Sequence, residues 1–172
     1  VSLSPNQYLA EFGLSSRIIR ERNLVLFEEA EWLEVAEVGD NGKEYLLTPV
    51  AAKNWRRLKR AAAADGESIF IVSAFRSISR QADIIRGRLA AGESIEQIIK
   101  RFAPPGFSEH HSGRAVDLSI PGIAKPECEF EGSTAFDWLR RNAGRFGYRL
   151  SYPRENTHGY RYEPWHWCYR PL

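Results

Sequence analysis

The sequence predicts an α+β fold: a small antiparallel sheet flanked by helices. Three observations point there. Short β-branched or alternating runs recur at 68–72, 114–120, 148–151 and 165–169. Stretches with apolar residues at helical spacing precede or separate them, at 51–64, 79–89 and 134–146. No internal repeat, low-complexity tract or linker divides the 172 residues, a length that supports one core and little more. We therefore expect one domain over 1–172, with a core at 46–172 and a helical arm at 1–45.

Each element has a local reason. Residues 6–12 and 16–35 mix apolar residues with Arg and Glu, and read as one or two helices or an irregular arm. Gly39-Asp40-Asn41-Gly42 is a turn cluster. Thr48-Pro49 opens a helix, with Thr as N-cap and Pro at the first helical position, and Asp65-Gly66 ends it. Ser68-Ile69-Phe70-Ile71-Val72 is a buried strand. Ser77 and Ser79 precede a helix to about Leu89, Ala91-Gly92 breaks it, and Ser94 starts another to about Phe102. Pro104-Pro105-Gly106 forces a loop. Residues 121–132 form a long polar connection, and 134–146 a helix with Phe136, Leu139 and Phe146 on its apolar side.

Composition excludes several classes. With 43% apolar and 27% charged residues the chain is not disordered. A net charge of +2 argues for no nucleic-acid partner, and no stretch approaches the roughly 18 apolar residues of a membrane span. The chain contains no Met and opens on no secretory leader, so we expect a processed product whose leader is already removed. Cys128 and Cys168 form no CxxC pair. One disulfide, suited to an oxidising compartment, and two buried thiols both fit.

Two of the segments carrying the four histidines are chemically unusual. In Ser108-Glu109-His110-His111-Ser112-Gly113-Arg114-Ala115-Val116-Asp117, an acid sits in an otherwise apolar strand, which is costly unless its charge is compensated. Ala115 shares its strand parity and leaves room beside it. A metal ligand and an ion-paired or turn-capping Asp are both consistent with this segment alone. In Glu163-Pro164-Trp165-His166-Trp167, extended backbone puts Trp165 and Trp167 on one side and His166 and Cys168 on the other. The two indoles are expected to wall His166 into a water-poor site, although an aromatic core strand with one satisfied His reads equally well. Together His110, Asp117 and His166 supply three N/O ligands, which zinc accepts with a fourth position open, the catalytic pattern. Cys168 shares His166 parity, but as a fourth ligand it would close that position and quench the chemistry, so it is not counted among the ligands. Glu163 lies where a general base is needed, and Arg76, at a strand exit, where it can meet an oxyanion.

The motifs Ser-Glu-His-x-x-Gly-x-Ala-x-Asp (108–117) and Glu-Pro-Trp-His (163–166), with an earlier Ser-x-x-Arg-Ser (73–77) and a following Gln, resemble the VanY-type D-alanyl-D-alanine carboxypeptidases. These belong to a wider group of zinc peptidases that includes L,D-carboxypeptidases, phage endolysin peptidases and the Hedgehog domain. The resemblance covers roughly 47–169. It implies the Hedgehog/D,D-peptidase zinc fold, Zn2+ held by His110, Asp117 and His166, Glu163 as the base that activates water and later protonates the leaving amine, and Arg76 as the oxyanion group. Ser108, Gln81, Ser77 and Trp165 become candidates for substrate contact. Phe75 stands where the family usually has Tyr, and Cys168 where it often has a basic residue. His111 and His158 read as bystanders, His158 as a possible cleft wall.

The implied function is a D-alanyl-D-alanine carboxypeptidase acting on peptidoglycan stem peptides in the periplasm or at the cell surface, as a monomer. An L,D-carboxypeptidase, an endopeptidase, and a zinc-containing binding module without catalysis are the alternatives.

Overall fold

The computed structural model describes residues 3–123 and 129–170. Two short helices, α1 (Pro5–Glu11) and α2 (Ser16–Glu21), precede an antiparallel hairpin of β1 (Glu34–Val38) and β2 (Glu44–Leu47). Then come α3 (Pro49–Ala64), β3 (Phe70–Ser73), α4 (Ile78–Ala90) and the single turn α5 (Ile95–Ile98). A 3-10 turn (Glu109–Ser112) leads into β4 (Ala115–Ser119). The chain closes with α6 (Thr134–Asn142), β5 (Tyr148–Leu150) and β6 (His166–Tyr169). The main sheet has the order β3-β4-β6-β5, antiparallel throughout. The α+β expectation therefore holds.

Alternation along the strands divides the sheet into two faces. One face packs Ile71, Val116, Leu118 and Trp167 against Trp55 and Leu58 of α3 and Phe136 and Leu139 of α6. The other carries Asp117 and His166, directly paired across β4 and β6, with Ser73 opposite Asp117 on β3. A second apolar cluster joins Tyr8 and Phe12 of the N-terminal arm to Ala82 and Ile85 of α4 and Ile98 of α5.

Several boundaries differ from expectation. The helix expected within 16–35 stops at Arg22, where Asn23 adopts a positive φ of 49°. Residues 34–38 become a strand although Glu and Ala favour helix, because the Gly39–Gly42 turn folds them onto Glu44–Leu47 and Ala36 is buried in the main core. The helix expected over 94–102 is one α-turn, and the helix over 134–146 tightens to 3-10 after Asn142. Gly113 is required where it stands. Its φ is +63°, and a Cβ there would lie 2.9 Å from Leu33 and 3.0 Å from Ala30. Cys128 lies outside the described residues, so the disulfide and the two-thiol alternatives both stay open.

Candidate metal centre and cleft

Three elements bring the ligand candidates together. Ser108 caps the 3-10 turn that turns His110 inward, its hydroxyl accepting the His110 N–H at 3.4 Å. Asp117 and His166 face each other across the β4–β6 ladder. Nitrogen and oxygen atoms of His110, Asp117 and His166 lie within 4.8 Å of one another. His110 Nε2 is 3.2 Å from Asp117 Oδ2, and His166 Nδ1 is 2.9 Å from Asp117 Oδ1.

The remaining ring nitrogens show what this arrangement demands. His110 Nδ1 is 2.7 Å from the Ala74 carbonyl, which only accepts, so Nδ1 carries the proton. Burial lowers the His110 pKa and keeps it neutral, against the pull of Asp117. Its Nε2 lone pair therefore points at a carboxylate, an arrangement that calls for a cation between them. His166 sets both nitrogens against carboxylates, Nδ1 on Asp117 and Nε2 on Glu109 Oε2 at 2.9 Å. Burial would lower its pKa, but Asp117 and Glu109 override it and raise it well above the ordinary value. Burial would raise Asp117, but His110 and His166 override it and hold it far below the carboxylate range. Two imidazole nitrogens and one carboxylate oxygen converging on a cation-demanding point fit a divalent zinc ion.

Glu163 stands beside this set and outside it, with Oε2 3.9 Å from His166 Nδ1. Burial raises its pKa to about 7 in the absence of an ion; His166 opposes the shift and Asp117 adds to it. Its backbone is fixed by the Glu163 N–H to the Tyr152 carbonyl (3.1 Å) and the His166 N–H to the Glu163 carbonyl (3.0 Å). Arg76 reaches the same cleft. Its guanidinium donates to Gln81 Oε1 at 2.9 Å and to Ser73 Oγ at 2.8 Å.

These residues line one cavity of about 420 Å³. Ser108, Gln81 and Trp165 line it too. Gln81 is less free than expected, since its amide oxygen accepts from Arg76 and its amide N–H donates to the Ala103 carbonyl at 2.7 Å. Ser77 is not among the lining residues. It caps α4, accepting the Arg80 N–H at 3.1 Å, as a Ser before a helix ordinarily does. Trp167 does not wall His166. It faces the opposite side of the sheet, stacked edge-on against Phe136. The wall over His166 is Tyr152, with ring centroids 4.7 Å apart. His158 packs edge-on against Tyr152 outside the cleft lining, and Cys168 lies outside the ligand group.

Two contributors escaped the sequence reading. Glu109 is buried, with one oxygen on His166 Nε2 and the other on Arg170 Nη2 at 2.5 Å. Its partners lie 57 and 61 residues away, so only its place beside the motif His marked it. His111 is fully buried and staples two loops. Nδ1 donates to the Arg76 carbonyl at 2.6 Å, and Nε2 accepts the Gly106 N–H at 3.1 Å. His111→Ala leaves both backbone groups unpaired beside a cavity. It is expected to lower stability by about 2–4 kcal/mol in chemical denaturation.

A D-alanyl-D-alanine carboxypeptidase of Enterococcus faecalis is 32% identical over 119 residues, 63% of this chain and 42% of the relative, so the chain spans less than half of that protein. The solved structure of the LdcB LD-carboxypeptidase aligns with TM-score 0.71 at 26% identity, covering 82% of this chain and 69% of that one. A variant of the vancomycin-resistance D,D-pentapeptidase VanY, solved with Zn(II), aligns with TM-score 0.63 at 29% identity, over 87% of this chain and 88% of the other. The VanY family model, described as D-alanyl-D-alanine carboxypeptidase, matches residues 44–172, and the chain belongs to that family.

Proposed function

We propose that the chain is a zinc carboxypeptidase that removes the terminal D-alanine from peptidoglycan stem peptides. The observation that carries this reading is the convergence of His110, Asp117 and His166 with Glu163 beside them and not among them. In this reading His110 Nε2, Asp117 and His166 Nδ1 hold the ion. When bound, zinc supplies Lewis acidity to the scissile carbonyl and acidifies water. Glu163 takes the proton of the attacking water and returns it to the leaving amine. Arg76, steadied by Gln81 and Ser73, meets the negative charge developing on the carbonyl oxygen. Glu163 and Arg76 both stand in the cleft, which favours an enzyme over a zinc-containing binding module.

Peptidoglycan lies outside the cytoplasmic membrane, and the chain would act there. No helix of the described residues is long and apolar enough to cross a membrane. The LdcB likeness favours a second reading, an L,D-carboxypeptidase that trims a tetrapeptide. Incubating the zinc-loaded protein with a stem pentapeptide and with a tetrapeptide, and weighing the products, separates the two.

Glu109 acts in this scheme as a positioning residue, because its bond to His166 Nε2 turns Nδ1 toward the ion. Glu109→Gln is expected to weaken zinc affinity by about 10–100-fold, read by competition with a chromogenic chelator. Unchanged affinity would remove Glu109 from the account.

A further inference from the structure

The cleft is electrically lopsided. Its lining carboxylates, Asp117 and Glu163, sit at the metal centre. At the other end the lining includes Arg88, Arg101 and Arg161. Arg88 and Arg101 lie over the Phe102 ring, with centroid distances of 4.1 Å and 5.6 Å. Both reach the same carboxylate, Glu93, Arg88 at 2.7 Å. Arg161 is drawn to this end by its backbone N–H, which donates to the Lys100 carbonyl at 2.9 Å. Among the described residues, these three guanidinium charges less the Glu93 carboxylate that Arg88 and Arg101 share leave two positive charges. The Arg88 and Arg101 side chains stay about one third exposed.

Helix α4 gives the backbone spacing of two lining residues. Gln81 and Arg88 both lie on α4 and both line the cleft. Gln81 holds Arg76 at the metal end. Seven residues of helix separate them by about 10 Å along the axis. An extended peptide advances about 3.3 Å per residue, so this backbone spacing matches about three residues of a bound peptide. The carboxylate of a single departing residue does not reach that far. A negative group on the acyl side does.

We propose that Arg88, Arg101 and Arg161 form a subsite for a free carboxylate carried by the second or third residue on the amino side of the scissile bond. The subsite rests on the carboxypeptidase reading and narrows its substrates to stem peptides that keep such an acid unamidated. Guanidinium is suited to it, since it pairs with carboxylate in a two-pronged geometry and stays charged in a half-buried cleft.

The test uses the zinc-loaded protein and synthetic pentapeptides ending in D-Ala-D-Ala. One pair carries diaminopimelate before the D-alanines, with its side-chain carboxyl free or amidated. A second pair carries isoglutamate or isoglutamine one residue earlier. For at least one pair, kcat/KM is expected to be roughly tenfold higher for the acid than for the amide, and the ratio to fall as salt is raised. In R88Q/R101Q the ratio is expected to approach one. Equal rates within both pairs for the unaltered protein overturn the subsite, whether or not the variant folds. A ratio that survives in the folded double variant overturns it as well. If none of the pentapeptides loses D-alanine, the carboxypeptidase reading fails by itself. Calorimetric binding of the same pairs then decides the subsite: acid bound more tightly than amide supports it, and equal binding refutes it.

Discussion

Glu163→Gln is expected to lower kcat by about 10²–10⁴-fold while the protein still binds one equivalent of zinc. Gln has nearly the same shape but cannot take up a proton. Glu163 lies 3.9 Å from the ring nitrogen assigned to the ion and outside the ligand group, so its loss does not dismantle the metal centre. Burial places its pKa at about 7 in the absence of an ion, where a carboxyl can both accept and return a proton near neutrality. Bound zinc, a positive charge beside it, pulls that value down, so the zinc-loaded protein should keep its base ionised, and its activity, below pH 7. Single-turnover hydrolysis together with zinc content measured on the same sample checks the pair of claims. Loss of zinc in this variant would make Glu163 a ligand and not a base.

Asp117→Ala is expected to abolish both zinc retention and hydrolysis. Among the described residues, Asp117 is the one acid that touches both His110 and His166, at 3.2 Å and 2.9 Å. Its removal takes away the charge that compensates the ion and leaves two imidazoles, and the loss of affinity should exceed the 10–100-fold typical of an outer partner. Metal content after dialysis reads the effect, with circular dichroism to confirm that the sheet survives. A variant that keeps stoichiometric zinc and turnover would displace Asp117 from the ligand set.

Much of the fold was legible because the strands carrying the site are locally consistent. Ser68–Val72 is β-branched and apolar, and Ala115–Ser119 alternates, so β3 and β4 declare themselves within one residue or two. The hairpin at 34–47 did not, because Glu34-Val35-Ala36-Glu37-Val38 reads as helix former and only pairing with its neighbour makes it a strand. The positive φ at Asn23 that ends α2 left no pattern that distinguishes it from other Asn residues.

At the site, His110, Asp117 and His166 were legible as residue types with an open-site ligand count. Their convergence depends on the ladder pairing of Asp117 with His166, which no local signal specifies. The partners of Glu109 and His111 were hidden for the same reason. Alternation correctly set Trp167 opposite His166, but the face that holds Trp167 is the hydrophobic core, and Tyr152 from the loop after β5 supplies the wall. Ser77 carried two plausible roles, and the helix it precedes claimed it as a cap.

With His110, Asp117 and His166 holding zinc, the protein should release the terminal D-alanine of a stem pentapeptide. Mass spectrometry of that peptide after incubation with the zinc-loaded protein, with chelator, and with chelator followed by zinc tests it most directly. Loss of a single alanine residue, abolished by chelator and restored by zinc, is expected. Intact peptide under all three conditions, or hydrolysis indifferent to chelator, would contradict it.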